Sequence, residues 1–120
     1  MRHLLFITAS FLLAFSSNTS AQTLCDGGMA AEYACDGYDL YAYLPLSSIG
    51  GGDNGNDCWG WVDSASGREF VLFGRSHGLS IVEVTDPLNP IFLATLPTAT
   101  SPSLWRDIKV AGDYAFIVSE

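Results

Sequence analysis

Positive charge is what this sequence has least of. Its 120 residues hold five Lys and Arg against 13 Asp and Glu, for a net charge of −8. Duplex nucleic acid needs a basic stripe that neutralises phosphates, and none exists here, so that class of partner is excluded. Histidine is almost absent: His77 is the only one beyond His3. Long apolar runs are missing after Phe15, so no later stretch reads as a membrane-spanning helix. Cysteine is sparse and odd in number, at Cys25, Cys35 and Cys58.

The one long apolar run is an address. Arg2 and His3 form a short positive start, Leu4 to Phe15 is apolar apart from Thr8 and Ser10, and Thr19-Ser20-Ala21 fits a small-x-small cleavage site. Residues 1–21 therefore read as a signal peptide cut before Gln22. The alternative, a membrane anchor, needs about 20 apolar residues, and this run is shorter. Cleavage removes Arg2 and takes the net charge from −8 to −9. Export makes disulfides possible. Residues 22–39 form a short cysteine-containing segment in which Cys25 and Cys35 are separated by a Gly/Ala-rich stretch. A Cys25–Cys35 bridge is expected, and the chain-entropy estimate gives it about 2.5–3 kcal/mol of stabilisation. Cys58 sits beside Trp59 in an apolar run and reads as a small buried hydrophobe. The odd count leaves open a partner for it in another chain.

Residues 40–120 read as strands joined by turns. Trp59 to Val62, Phe70 to Phe73, Ser80 to Thr85 and Ile91 to Leu96 are predicted to pair in antiparallel order, separated by Gly, Ser, Asp and Pro-rich turns. Pro87 and Pro90 exclude regular pairing across the last corner. The pattern then restarts, with Trp105 to Val110, an Ala-Gly-Asp turn, and Tyr114 to Val118. Trp59 to Trp105 is a shift of 46 residues. That period, with four short strands per unit, points to a β-propeller blade. Upstream, Leu40-Tyr-Ala-Tyr-Leu-Pro45 echoes Phe92-Leu-Ala-Thr-Leu-Pro97. It reads as an orphan outer strand, of the kind that completes the last blade of a ring. Continuous apolar runs at Phe70–Phe73 and Phe116–Val118 suit strands covered on both faces. Glu83 interrupts the third strand and places it further from the axis. The fold class is thus all-β: a partial β-propeller of four-stranded antiparallel blades, with an orphan outer strand, one full blade and the start of the next.

Gly78-Leu-Ser-Ile-Val-Glu-Val-Thr-Asp-Pro-Leu-Asn-Pro90 resembles the LVIVD repeat of bacterial and archaeal surface propellers. A wider set resembles the N-terminus of the choice-of-anchor B family: Gly55-Asn-Asp-Cys-Trp-Gly-Trp61, Ser66-Gly-Arg-Glu69, Leu96-Pro-Thr98, and Ser103-Leu-Trp-Arg-Asp-Ile-Lys-Val110 with Asp113-Tyr-Ala-Phe-Ile-Val-Ser-Glu120. The resemblance covers nearly all of the chain beyond residue 21. It implies exported proteins, longer than this chain, with varied C-terminal surface anchors and no defined catalytic set.

Candidates for chemistry are few. Asp53, Asn54, Asn56 and Asp57 lie in a Gly-rich loop and offer oxygens to a hard cation such as calcium. Their spacing is not that of an EF-hand, and the competing reading is a surface loop whose Asp and Asn side chains cap turns. Ser76 and His77 are adjacent, which is not how a nucleophile and its base are presented. Arg106 and Asp107 open an inner strand, either as ligand contacts or as a structural pair linking strands or blades. Tyr33, Tyr38, Tyr41 and Tyr43 cluster as glycan or partner contacts, or as strand-edge packing. No catalytic residue and no cofactor-binding residue is assigned. The expected role is an extracellular or cell-surface binding scaffold, with a protein or a glycan as partner. The alternatives are part of an extracellular hydrolase or lyase whose site lies elsewhere in the array, and a structural adhesion or surface-layer component.

Overall fold

A computed structural model describes residues 22–119, and the leader reading falls outside them. The described chain is almost entirely β. Two two-residue strands come first, β1 (Met29–Ala30) and β2 (Tyr33–Ala34), then a 3-10 turn (Leu46–Ile49). Six longer strands follow: β3 (Gly55–Val62), β4 (Glu69–Arg75), β5 (Gly78–Glu83), β6 (Ile91–Pro97), β7 (Arg106–Ala111) and β8 (Tyr114–Ser119). The sheets are β1-β2, β3-β4-β5-β6 and β7-β8, all antiparallel. The four-stranded meander has the pairing order the turns predict. The boundaries differ: β3 starts four residues early, inside the Gly-rich loop, Thr85 lies outside β5, and Trp105 lies just ahead of β7.

Cys25 and Cys35 are joined, with Cα atoms 5.9 Å apart. Cys35 N–H donates to the Gly28 carbonyl across this small loop, and β1 pairs with β2 inside it. Cys58 is exposed, which corrects the buried-hydrophobe reading. It lies on β3, an edge strand of the sheet, where the segment over that face does not reach it.

The four-stranded sheet is covered on both faces. One face presents Trp61, Leu72, Leu79 and Ile81 to Ile108, Val110 and Ile117 of the β7-β8 hairpin. Leu79 and Ile108 are essentially inaccessible there. The other face presents Val71, Phe73 and Val82 across an apolar cavity of about 600 Å³ to Tyr41–Leu44, Leu46 and Ile49. β5 is the most buried strand, contrary to its expected outer position. It is central in the sheet and takes cover from both sides, with Leu79 under the hairpin and Ser80 Oγ donating to the Ile49 carbonyl at 2.5 Å. β8 departs from its reading too: Phe116 is 58% and Val118 61% exposed, because only one side of the hairpin meets the sheet. Leu40 to Leu44 forms no strand. Leu40 makes an isolated bridge to Thr23, and the residues after it run extended without backbone partners among the described residues.

At the far end of the sheet from this cluster of turns, Arg68 grips Glu83, with Nε and Nη2 on the two carboxylate oxygens at 2.9 and 2.5 Å. The Arg68 hydrogen bond holds the Glu83 carboxyl down at about 2 against an ordinary 4.5. A depressed carboxylate stabilises the fold above its unfolded pKa and loses that contribution as pH falls toward the folded one. Acid titration of Glu83→Gln should therefore be flatter than wild type between pH 4.5 and about 2. Parallel unfolding curves across that window would show that the pair contributes nothing.

Candidate functional site

All of the residues with candidate chemistry after the tyrosines gather at one end of the sheet. Three segments meet there: the Gly50–Asn54 loop, the Ser76-His77 turn between β4 and β5, and the connection from Thr98 to Trp105. Backbone bonds lace them together. Ser76 N–H donates to the Asn54 carbonyl, Thr98 N–H to the His77 carbonyl, and Ser103 N–H to the Ser76 carbonyl.

Arg75 is the rivet of this end, and its role is absent from the sequence reading, which placed it in a turn. It closes β4 and is 2% exposed. Its Nη1 donates to the carbonyls of Gly50 and Gly51 at 2.8 and 2.6 Å. Its Nη2 donates to the Thr95 hydroxyl and, at 3.5 Å, to the Leu79 carbonyl. Burial pulls its pKa below the usual guanidinium range, yet an arginine remains a cation near neutral pH. The glycines explain the loop. Gly50 and Gly51 have φ of 103° and 73°, and a Cβ on Gly50 would sit 2.9 Å from Arg75 Nη2. Only glycine turns its carbonyl this way at so close an approach. A run of glycines at φ > 0 beside a lone arginine is the signal that could have revealed this contact.

Arg106 is also buried, at 5%. It donates from Nε to the Arg75 carbonyl at 2.8 Å and from Nη2 to the Ser76 carbonyl at 3.2 Å. So Arg106 links β7 to the β4-β5 turn, as one of its two readings expects, but not through Asp107. Asp107 is exposed and lies 3.7 Å from Lys109.

The four proposed cation ligands have other duties. Asp57 Oδ2 accepts from the Ile108 N–H at 2.9 Å and from Lys109 Nζ at 3.3 Å. The Ile108 bond is the main cause of its lowered pKa. Lys109 also lies over the Trp59 ring, 5.0 Å from its centre. Asp57 and Trp59 thus tie β3 to β7. Asn56 lines a cleft with Trp105, Arg106, Asp107, Val118 and Ser119, and its buried Nδ2 has no partner among the described residues. Asp53 donates its N–H to Ser76 Oγ at 3.3 Å, and Asn54 gives its carbonyl to Ser76 N–H. Among the described residues no group of three or more His, Cys, Asp and Glu side chains is placed to hold a metal ion.

Ser76 Oγ and His77 Nδ1 lie 2.9 Å apart, so these sequence neighbours do touch. The Ser76 side chain is nevertheless buried and accepts from Asp53 N–H. It serves as a node of the loop cluster. Among the tyrosines, Tyr33 and Tyr43 pack ring to ring with centres 5.4 Å apart, joining the disulfide loop to the extended segment. Tyr38 is 83% exposed. No helix among the described residues is long and apolar enough to cross a membrane. Comparison with known proteins found no matching family model, curated protein or solved structure.

Proposed function

We propose that this chain is part of an exported β-propeller of the LVIVD-repeat kind, resembling the choice-of-anchor B family, and that it works as an extracellular or cell-surface binding scaffold. The observation that carries this reading is the covered four-stranded sheet. A blade of a propeller has a neighbour on each face, and its innermost strand lies beside the innermost strands of those neighbours. Here β3-β4-β5-β6 has the β7-β8 hairpin on one face and the Tyr41–Ile49 segment on the other, and β7 runs beside β3. The shift of 46 residues from Trp59 to Trp105 fits a repeated unit of that kind. The Cys25–Cys35 bridge fits an oxidising compartment. A scaffold also suits what the buried polar groups do, since Arg75, Arg106 and Asp57 all serve to hold loops and strands in place.

The test is expression of the whole reading frame with its leader in a secreting host. The protein is expected outside the cytoplasm, with Gln22 as its first residue, a Cys25–Cys35 bond, and particle images of a ring of radiating sheets. Retention in the cytosol with residues 1–21 attached, or particles without repeated sheets, would overturn the reading.

A further inference from the structure

The extended segment beside the large apolar cavity is an unfilled strand position. Tyr41 to Leu44 lacks backbone partners among the described residues, although Ala42 and Leu44 are half-buried. Backbone groups in such surroundings need partners. The segment also has a counterpart within the chain. Ala42, Leu44 and Pro45 match Ala94, Leu96 and Pro97 of β6 at equal spacing. β6 pairs antiparallel with β5, with Ala94 opposite Ile81 and Leu96 opposite Leu79.

We infer that Leu40–Pro45 accepts an antiparallel β-strand of the β5 type, and that this strand carries a basic residue where β5 has Glu83. The occupant is a strand from a further repeat unit, so the inference rests on the propeller reading. Its chemistry follows from the register. In β6, Ile91 stands opposite Glu83. The matching position upstream is Asp39, which is exposed and accepts from the Cys25 N–H at 2.8 Å and from the Gln22 amide. A second copy of β5 would set Glu83 against Asp39, and like charges directly opposite are unfavourable. A lysine or arginine there meets an opposite charge. Beyond that point the lining of the cavity is apolar, from Val71, Phe73, Val82 and Pro90. It therefore suits the alternating Leu, Ile and Val of a β5-like strand.

Two synthetic peptides provide the probe: residues 77–86 of this chain, and the same peptide with Glu83→Lys. Hydrogen exchange is followed by mass spectrometry on the chain without its leader, at submicromolar protein. The lysine peptide should slow exchange at Tyr41–Leu44 at least tenfold, at a peptide concentration roughly fivefold below that needed for the glutamate peptide. Asp39→Asn should erase the difference between the peptides. Ala42→Pro, which removes a backbone donor, should abolish the protection. Protection confined to Ile91–Pro97 or Tyr114–Ser119, equal effects of both peptides, or no protection by either would overturn the inference. Such a result leaves the mature N-terminus and the particle images intact, so failure here is distinguishable from failure of the propeller reading.

Discussion

Arg75→Met will destabilise the fold by about 3–5 kcal/mol, because several buried acceptors lose their only charged donor at once. The Gly50 and Gly51 carbonyls are the most exposed to this loss, since both are turned toward Nη1 and away from any strand. A small domain holds only about 5–15 kcal/mol in total, so the change removes a large share. Arg75→Lys should recover little. An ammonium has three donors on a flexible stem and lacks the planar fork that spans two loop carbonyls and the β5-β6 pair. Denaturant unfolding of the two variants measures the loss, and limited proteolysis at Gly50–Gly52 locates it. A Met variant within about 1 kcal/mol of wild type would show that the loop carbonyls find water at no cost.

The strand pairing was legible because turn chemistry and apolar runs agree along β3 to β6. Gly67 at positive φ closes the β3-β4 turn, and Gly78 opens β5 where a Cβ would come within 2.3 Å of the Leu96 carbonyl. Those glycines punctuate the sequence where the chain reverses. Burial was less legible. Glu83 made β5 look peripheral, but its carboxylate is taken up by Arg68 and the rest of the strand goes under cover. Phe116 and Val118 look like core residues, and their exposure depends on which surfaces meet the hairpin, which no local pattern encodes. The site followed the same divide. The Gly-rich loop stands out by composition, yet its polar residues suggest a cation, whereas the atoms that matter are two glycine carbonyls. A main-chain acceptor has no letter in the sequence.

The chain without its leader, alone in solution at micromolar concentration and above, is expected to self-associate. The cause is apolar surface on two strands that lack partners among the described residues. β6 is exposed along its whole length, with Ile91 at 55% and Leu96 at 54%, and it carries no charge. The outer side of β8 adds Phe116 and Val118. Long uncharged edges of this kind template pairing with other chains, and contiguous apolar patches mark association surfaces. Light scattering should report a mass that rises with concentration. Leu93→Lys, which puts a charge on the β6 edge, should lower that mass, and extension of the chain by further repeats should lower it more. A monodisperse monomer with a sharp cooperative melt would contradict both the self-association and the repeat-array reading behind it.

The ties between sheets also set an order of events in folding. Within β3 to β6 each strand pairs with its sequence neighbour, so these contacts close short loops and form early. The bonds that fasten one unit to the next reach much further: Arg106 to the Arg75 carbonyl spans 31 residues, and Asp57 to the Ile108 N–H spans 51. Loop closure grows only slowly more costly with such lengths. During synthesis, however, the Asp57 carboxylate has no partner until β7 has emerged. The meander therefore collapses first with its β3 carboxylate and its Trp61–Ile81 face still wet. Docking of the β7-β8 hairpin is the later, slower step, and mutations at Asp57 should speed unfolding while leaving the initial collapse rate unchanged.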